Sequence, residues 1–135
     1  MALACILAAP LAAAAQTSRS EALPSGASTI IESALEAARV RDLTALRSLM
    51  ITGFLWSFGG DRDVTQAVEA WKSDSRYLDE MVRVLRQGCH IDSREYRQVP
   101  LPRRIECPGS GGMTFHAGFI ETPDGWRMEY FTEGD

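Results

Sequence analysis

The sequence predicts an α+β domain with N-terminal helices packed on one face of a curved antiparallel sheet of three to five strands. Through much of the first two thirds of the chain, apolar residues recur at intervals of three and four, as they do on one face of a helix. The last third instead alternates apolar and polar residues between turn-forming residues, which is typical of antiparallel strands. Helices and strands that are separated along the chain favour two segregated layers over alternating parallel units.

Two helices followed by a strand are predicted at the start of the domain. The first helix begins at Thr29, whose spacing to Glu32 fits a capping box. The second begins after Asp42, a suitable N-cap. Its apolar stripe consists of Leu43, Leu46, Leu49 and Met50. The pattern then breaks at Gly53, and the aromatic run at residues 54–58 favours a short strand that ends at a pair of glycines.

A longer helical region is predicted from Asp63 to Gly88. Asp63 and Gln66 fit a second capping box, and apolar residues at helical spacing follow it. The residues 73–75, which are Ser, Asp and Ser, interrupt this pattern, so we expect a kink or a new helix start there. Gly88 supplies a helix stop.

The remaining chain is predicted to form strands. Residues 104–107 form a candidate strand, and residues 114–122 and 126–132 flank a turn at 123–125 as a hairpin. Alternation puts three residues on one face of each arm. They are Phe115, Ala117 and Phe119 in the first arm and Trp126, Met128 and Tyr130 in the second. We expect Phe119, with Trp126 or Met128, to be buried against the helices.

The chain is expected to consist of a signal peptide over residues 1–15, a flexible leader over 16–27 and a single domain over 28–135. Residues 1–15 are uncharged and apolar and end in alanines, and they are too short to span a bilayer. The mature protein is therefore expected in the periplasm or outside the cell, without a stable membrane span. The net charge of −4 argues against nucleic acid as a partner.

Two resemblances follow from these segments. The residues around Asp42, the aromatic strand after it and the closing run Gly125, Trp126 and Arg127 resemble the nuclear-transport-factor-2-like (NTF2-like, or SnoaL-like) superfamily. That resemblance implies a cone whose pocket opens between sheet and helices. The strings at 57–61 and 131–135 are similar to those of uncharacterised proteins exported by proteobacteria, a group that implies no activity.

Three residues are candidates for catalysis if the domain is such a cone. His116 or Glu129 pointing inward would act as general acid or base, with Tyr130 nearby, in a small hydrolase or isomerase. The alternative is that His116 lies on the wet face of the sheet, opposite Phe115. We favour a non-catalytic domain that binds a small ligand or an envelope protein.

A basic patch is the candidate binding surface. It consists of Arg94, Arg97, Arg103 and Arg104, together with Tyr96. Arginine makes bidentate contacts with carboxylates and phosphates, so this patch could bind an acidic partner or an anionic envelope polymer. The alternative is a solvated loop whose charges pair with Glu95 and Glu106.

No cofactor or metal site is predicted. The glycine pair at 59–60 before a helix start could hold a phosphate on backbone amides, but Asp61 and Asp63 would repel it. These carboxylates could gather a calcium ion together with Glu129, Glu133 and Asp135. Their spacing matches no calcium loop, and a solvated acidic tail is the alternative.

The mature chain contains two cysteines, Cys89 and Cys107, because Cys5 leaves with the signal peptide. We expect them to form a disulfide, since export delivers the chain to an oxidising compartment and two thiols allow one pairing. The rival is a zinc site in which His90 and His116 complete the set. Its spacing is not that of a zinc finger, and free thiols are the remaining alternative.

Overall fold

The computed structural model describes residues 22–57, 59–92, 102–110 and 115–134. Its helices are α1 (Ser25–Arg39), α2 (Leu43–Leu49), α3 (Val64–Ser73) and α4 (Arg76–Gln87). Its strands are β1 (Met50–Leu55), β2 (His90–Ile91), β3 (Arg104–Cys107), β4 (Phe115–Thr122) and β5 (Gly125–Glu133). They form one five-stranded sheet in the order β1-β5-β4-β3-β2. The predicted α+β class is confirmed, although β1 runs parallel to β5 and the sheet is therefore mixed.

Large aromatic side chains fill the space between sheet and helices. Trp71 of α3 is 1% exposed, and its ring makes edge contacts with Phe54 of β1 at 5.8 Å and with Phe131 of β5 at 6.0 Å between centroids. Phe119 of β4 is completely buried, and the buried side of α4 faces this strand. Burial of such side chains dominates the stability of a small domain. The other two tryptophans, Trp56 and Trp126, are half-buried.

Helix α1 begins at Ser25, four residues before the predicted start at Thr29. The Thr29 hydroxyl donates a hydrogen bond to the Ser25 carbonyl at 3.1 Å, inside the helix, so the predicted capping box is wrong. Pro24 occupies the N-cap position, where the helix needs no N–H from it, and Ala27 is completely buried in the first turn. Residues 25–27, expected in the leader, are therefore the first turn of α1.

The other predicted helix ends are confirmed. The Asp42 carboxylate accepts a hydrogen bond from the Ala45 amide at 2.9 Å, and Asp63 accepts one from the Gln66 amide at 3.0 Å. The helical region divides at Asp74 into α3 and α4. Gly88 ends α4 with a φ of 114°, which a residue with a side chain rarely adopts.

Strand β1 begins at Met50, whereas the sequence predicted a strand from Phe54. Met50 takes an extended conformation directly after α2, so the residue counted in the helical stripe is the first residue of the strand. Met50 and Phe54 are both buried, and Gly53 lies within the strand without breaking it. Parallel pairing with the distant β5 holds this strand, and a local pattern cannot show such a partner.

The predicted C-terminal strands are confirmed, but the faces predicted for the hairpin are partly wrong. Gly118 pairs with Tyr130 while Phe119 pairs with Met128, so Glu129 is an extra residue that forms a β-bulge. Met128 and Phe131 are therefore both buried, and Tyr130 lies on the opposite face from Met128. The expected burial of Phe119 and Met128 is confirmed.

Cys89 and Cys107 form a disulfide with a sulfur–sulfur distance of 2.05 Å, as predicted. It joins the residue after Gly88 to the last residue of β3, where Cys107 is completely buried. Within the described ranges, no cluster of three or more His, Cys, Asp or Glu residues could hold a metal ion. The described helices also include none that is long and apolar enough to cross a membrane.

Candidate functional site

The sheet face away from the helices gathers the residues that the sequence singled out for catalysis. We call it the open sheet face and define it by Arg104, Glu106, His116, Glu129 and Tyr130. Paired residues of neighbouring strands project to the same side, and the sheet register aligns Glu106 and Tyr130 with Gly118. The large buried side chains of the same strands, Phe119, Met128 and Phe131, lie on the other side of the sheet and face the helices.

Tyr130 lies directly across Gly118. A side chain at position 118 would overlap the Tyr130 ring, so the glycine makes room for the ring against the sheet. His116 lies on β4, two residues before Gly118. Its ring contacts the Tyr130 ring edge-on, with centroids 5.5 Å apart. His116 thus faces opposite to Phe115, whose ring packs on Tyr77 and Phe131.

Arg104 and Glu129 form a double hydrogen bond that crosses β4 from β3 to β5. The Arg104 Nε donates to Glu129 at 3.0 Å and its second guanidinium nitrogen donates at 3.1 Å. Only 15% of the Glu129 side chain is exposed, against 35% for Arg104. The bulge places Glu129 where it reaches Arg104, so a residue predicted for catalysis and one predicted for binding lie together.

The predicted arginine patch is divided by the structure. Arg94, Tyr96 and Arg97 lie outside the described residues. Arg103 and Arg104 do not share a surface, because Arg103 pairs with Glu121 at 2.7 Å and lies 5.7 Å from the centre of the Trp126 ring.

This exposed pair changes the acidity of its carboxyl group. The hydrogen bond from Arg103 holds the pKa of Glu121 below its ordinary value.

Of the partners expected for the patch, Glu95 lies outside the described residues, and the carboxylate of Glu106 is 3.8 Å from the Nε2 of His90.

The carboxylates considered for calcium are dispersed. The Asp61 carboxylate accepts a hydrogen bond from the Ser57 hydroxyl, Asp63 caps α3 and Glu129 contacts Arg104. Glu133 lies at a separate cleft of about 320 Å³, and Asp135 lies outside the described residues. The other residues that line this cleft are Asp74, Arg76, Tyr77, Glu80 and Phe115.

A second cleft contains residues that the sequence did not single out. It has a volume of about 510 Å³ and opens between α2, β1 and α3. Arg47 and Arg62 line it, together with Thr52 and Thr65. In the sequence, each of these residues looks like an ordinary exposed polar position. Only the packing of the three elements brings their side chains to one cleft.

Comparison with known proteins gives distant structural similarities and no family. No family model matches the chain, and no curated protein matches it. Among solved structures, an NTF2-like protein of unknown function from Shewanella oneidensis MR-1 is similar at 14% identity, covering 82% of this chain and 97% of that one with a TM-score of 0.45. An NTF2-like protein with a cystatin-like fold from Novosphingobium aromaticivorans is also 14% identical, covering 78% of this chain and 77% of that one with a TM-score of 0.41. The fold described above rests on this chain's own geometry.

Proposed function

We propose that the mature protein is an exported, non-catalytic domain of the cell envelope that binds a partner protein through the open sheet face. The observation that carries this proposal is the grouping of His116, Tyr130 and the Arg104 and Glu129 pair on the side of the sheet away from the helices. Tyrosine and arginine are enriched in protein interfaces, where they supply contact area and directed hydrogen bonds.

Export is supported by two independent features. Residues 1–15 have the apolar, uncharged character of a signal peptide and end in small residues. The disulfide between Cys89 and Cys107 is of a kind that forms and persists in oxidising compartments such as the periplasm. Both features favour a protein that works in the periplasm or outside the cell.

The contacts of His116 and Glu129 favour binding over catalysis. A general base must reach the proton that it abstracts, and a second group usually orients it. Glu129 is engaged by Arg104, while His116 makes an edge contact with Tyr130. In the part of the chain that the structure describes, no carboxylate lies within 4.0 Å of the His116 ring nitrogens. The aromatic core also occupies the region where a pocket enzyme of the cone type would hold its substrate.

The shape of this face favours a protein over a small molecule. Small-molecule sites are concave and enclose most of their ligand. Here the Tyr130 ring covers the space above Gly118, which levels the centre of the face. A broad surface of half-buried polar and aromatic side chains suits a protein partner.

Co-purification from the envelope of the native host, followed by mass spectrometry, tests this function. We expect one protein to accompany the wild-type chain in near-stoichiometric amount and to fall by about tenfold or more with Tyr130→Ala. The matched control is Arg76→Ala, an exposed residue on the helix side, which should retain the partner. Equal recovery with both variants would place the interface elsewhere, and a chain that carries no protein would contradict the proposal.

A further inference from the structure

The cleft between α2, β1 and α3 brings two arginines together from different elements. Arg47 comes from α2, and Arg62 lies in the segment that leads into α3. Between them the cleft is lined by Thr52 of β1 and Thr65 of α3. None of these residues belongs to the open sheet face, so the cleft is a separate feature of the molecule.

These two arginines differ from most others that the structure describes. In an acidic protein, many carboxylates are available to form ion pairs with arginine, and several arginines of this chain form such pairs. The paired residues are Arg39, Arg41, Arg76, Arg83, Arg103 and Arg104. Over the described ranges, neither Arg47 nor Arg62 has a carboxylate within 4.0 Å.

Neutral oxygens hold the two guanidinium groups instead. Arg47 donates to the Thr65 hydroxyl oxygen at 3.1 Å, and Arg62 donates to the Gly53 carbonyl at 3.4 Å. These bonds orient the groups without cancelling their charge, and each guanidinium has five N–H donors of which one is used in this way. Both groups therefore keep charge and donors for a further acceptor.

We propose that this cleft binds a small anionic molecule through a phosphate group. A phosphate oxygen pair matches the planar fork of a guanidinium, and two such groups match a dianion. The hydroxyl groups of Thr52 and Thr65 can also donate hydrogen bonds to phosphate oxygens. Because the Thr65 oxygen accepts from Arg47, its own proton is available to a ligand oxygen, and the exposed Thr52 offers a second donor. The volume of about 510 Å³ exceeds that of phosphate alone and suits a phosphorylated small molecule.

Asp61 and Asp63, the carboxylates that would repel an anion near the glycine pair at 59–60, both have hydrogen-bond partners in the structure. Asp61 bonds to Ser57 and does not line the cleft. Asp63 does line it, but one of its oxygens caps α3 through the Gln66 amide. Asp63 opposes a phosphate by charge, so it should weaken the site without abolishing it. The proposal depends on the arginine side chains and not on the amides of the helix start.

Titration of the 15N-labelled mature protein with inorganic phosphate, at constant ionic strength in chloride, tests the site. We expect saturable shifts of the Thr52 and Thr65 amide signals. Arg47→Gln and Arg62→Gln should each weaken binding by about tenfold or more, since each removes a charged donor. The matched control is Arg86→Gln, which removes the same charge from α4 outside the cleft and should leave the affinity unchanged.

A fourth variant keeps the test decisive if an arginine variant folds poorly. Asp63→Asn preserves the helix cap and removes the opposing charge, so it should tighten phosphate binding severalfold. Shifts that do not saturate, or that respond equally to Arg86→Gln and to the cleft variants, would mean general charge screening and would overturn the proposal. Weaker binding by Asp63→Asn would overturn it as well. Because no sheet-face residue is altered, the outcome is independent of the partner experiment.

Discussion

At the scale of single residues, Gly118 determines how the open sheet face is packed. Its missing side chain lets the Tyr130 ring lie against the strand. We predict that Gly118→Ala lowers the free energy of unfolding by about 1–3 kcal/mol, the usual range for overpacking a well-filled position. Urea denaturation of the two proteins measures this difference.

A double-mutant cycle with Tyr130→Ala identifies the cause. If the cost comes from the clash with Tyr130, most of it should disappear when the ring is removed. An equal cost in both backgrounds would show that backbone conformation at position 118, and not the Tyr130 ring, is responsible.

The Glu129 carboxylate should contribute more to stability than other paired carboxylates. It is mostly buried and receives a double hydrogen bond from Arg104. Glu129→Gln should lower the free energy of unfolding by about 1–3 kcal/mol, since hydrogen bonds to charged groups are the stronger ones. The matched control is Glu121→Gln, which breaks the more exposed pair with Arg103 and should cost less than the Glu129 change, because solvent screens an exposed pair. Equal effects in thermal or urea unfolding would contradict this ranking.

At the scale of elements, the features that depend on local chemistry were predictable from the sequence. Asp42 and Asp63 are caps, and Gly88 ends a helix, because short side-chain acceptors and glycine act on backbone groups a few residues away. The bulge at Glu129 was not predictable. It is set by how β4 and β5 pair, and it moves Tyr130 to the face opposite the predicted one.

The disulfide links the end of α4 to β3 and supports the edge of the sheet. Strand β2 has two residues and lies at this edge, so it has few contacts of its own. Replacing Cys89 and Cys107 with alanine should lower the free energy of unfolding by about 3 kcal/mol, because the link closes a loop with a sequence separation of 18 residues.

The backbone amides of His90 and Ile91 should also exchange their hydrogens faster in the double variant, because the disulfide no longer holds the edge strand β2 in place. Two further results would contradict the disulfide itself. They are an intact mass that does not change on reduction and alkylation, and two thiols that react before reduction.

At the scale of the whole molecule, the two sides of the sheet have different roles in this account. The helix side holds the aromatic core and the arginine cleft, and the other side presents the open sheet face. Arg47 and Arg62 are 15 positions apart in the sequence and belong to no motif, so only the packing of α2, β1 and α3 brings them to one cleft. For the same reason, the sequence could suggest His116, Glu129 and Tyr130 but could not show which side of the sheet they occupy.

Site-specific photo-crosslinking in the native envelope tests the central claim most directly. A photoreactive residue at Ile120 would sit on the open sheet face, since Ile120 pairs with Arg104 and with Arg127 on the neighbouring strands. The control position is Val40, which is 52% exposed at the end of α1 on the helix side. We predict that the Ile120 position captures the same protein that co-purifies with the wild-type chain and that Val40 does not. Equal capture from both positions, or capture from Val40 alone, would contradict the assignment of the open sheet face as the binding surface.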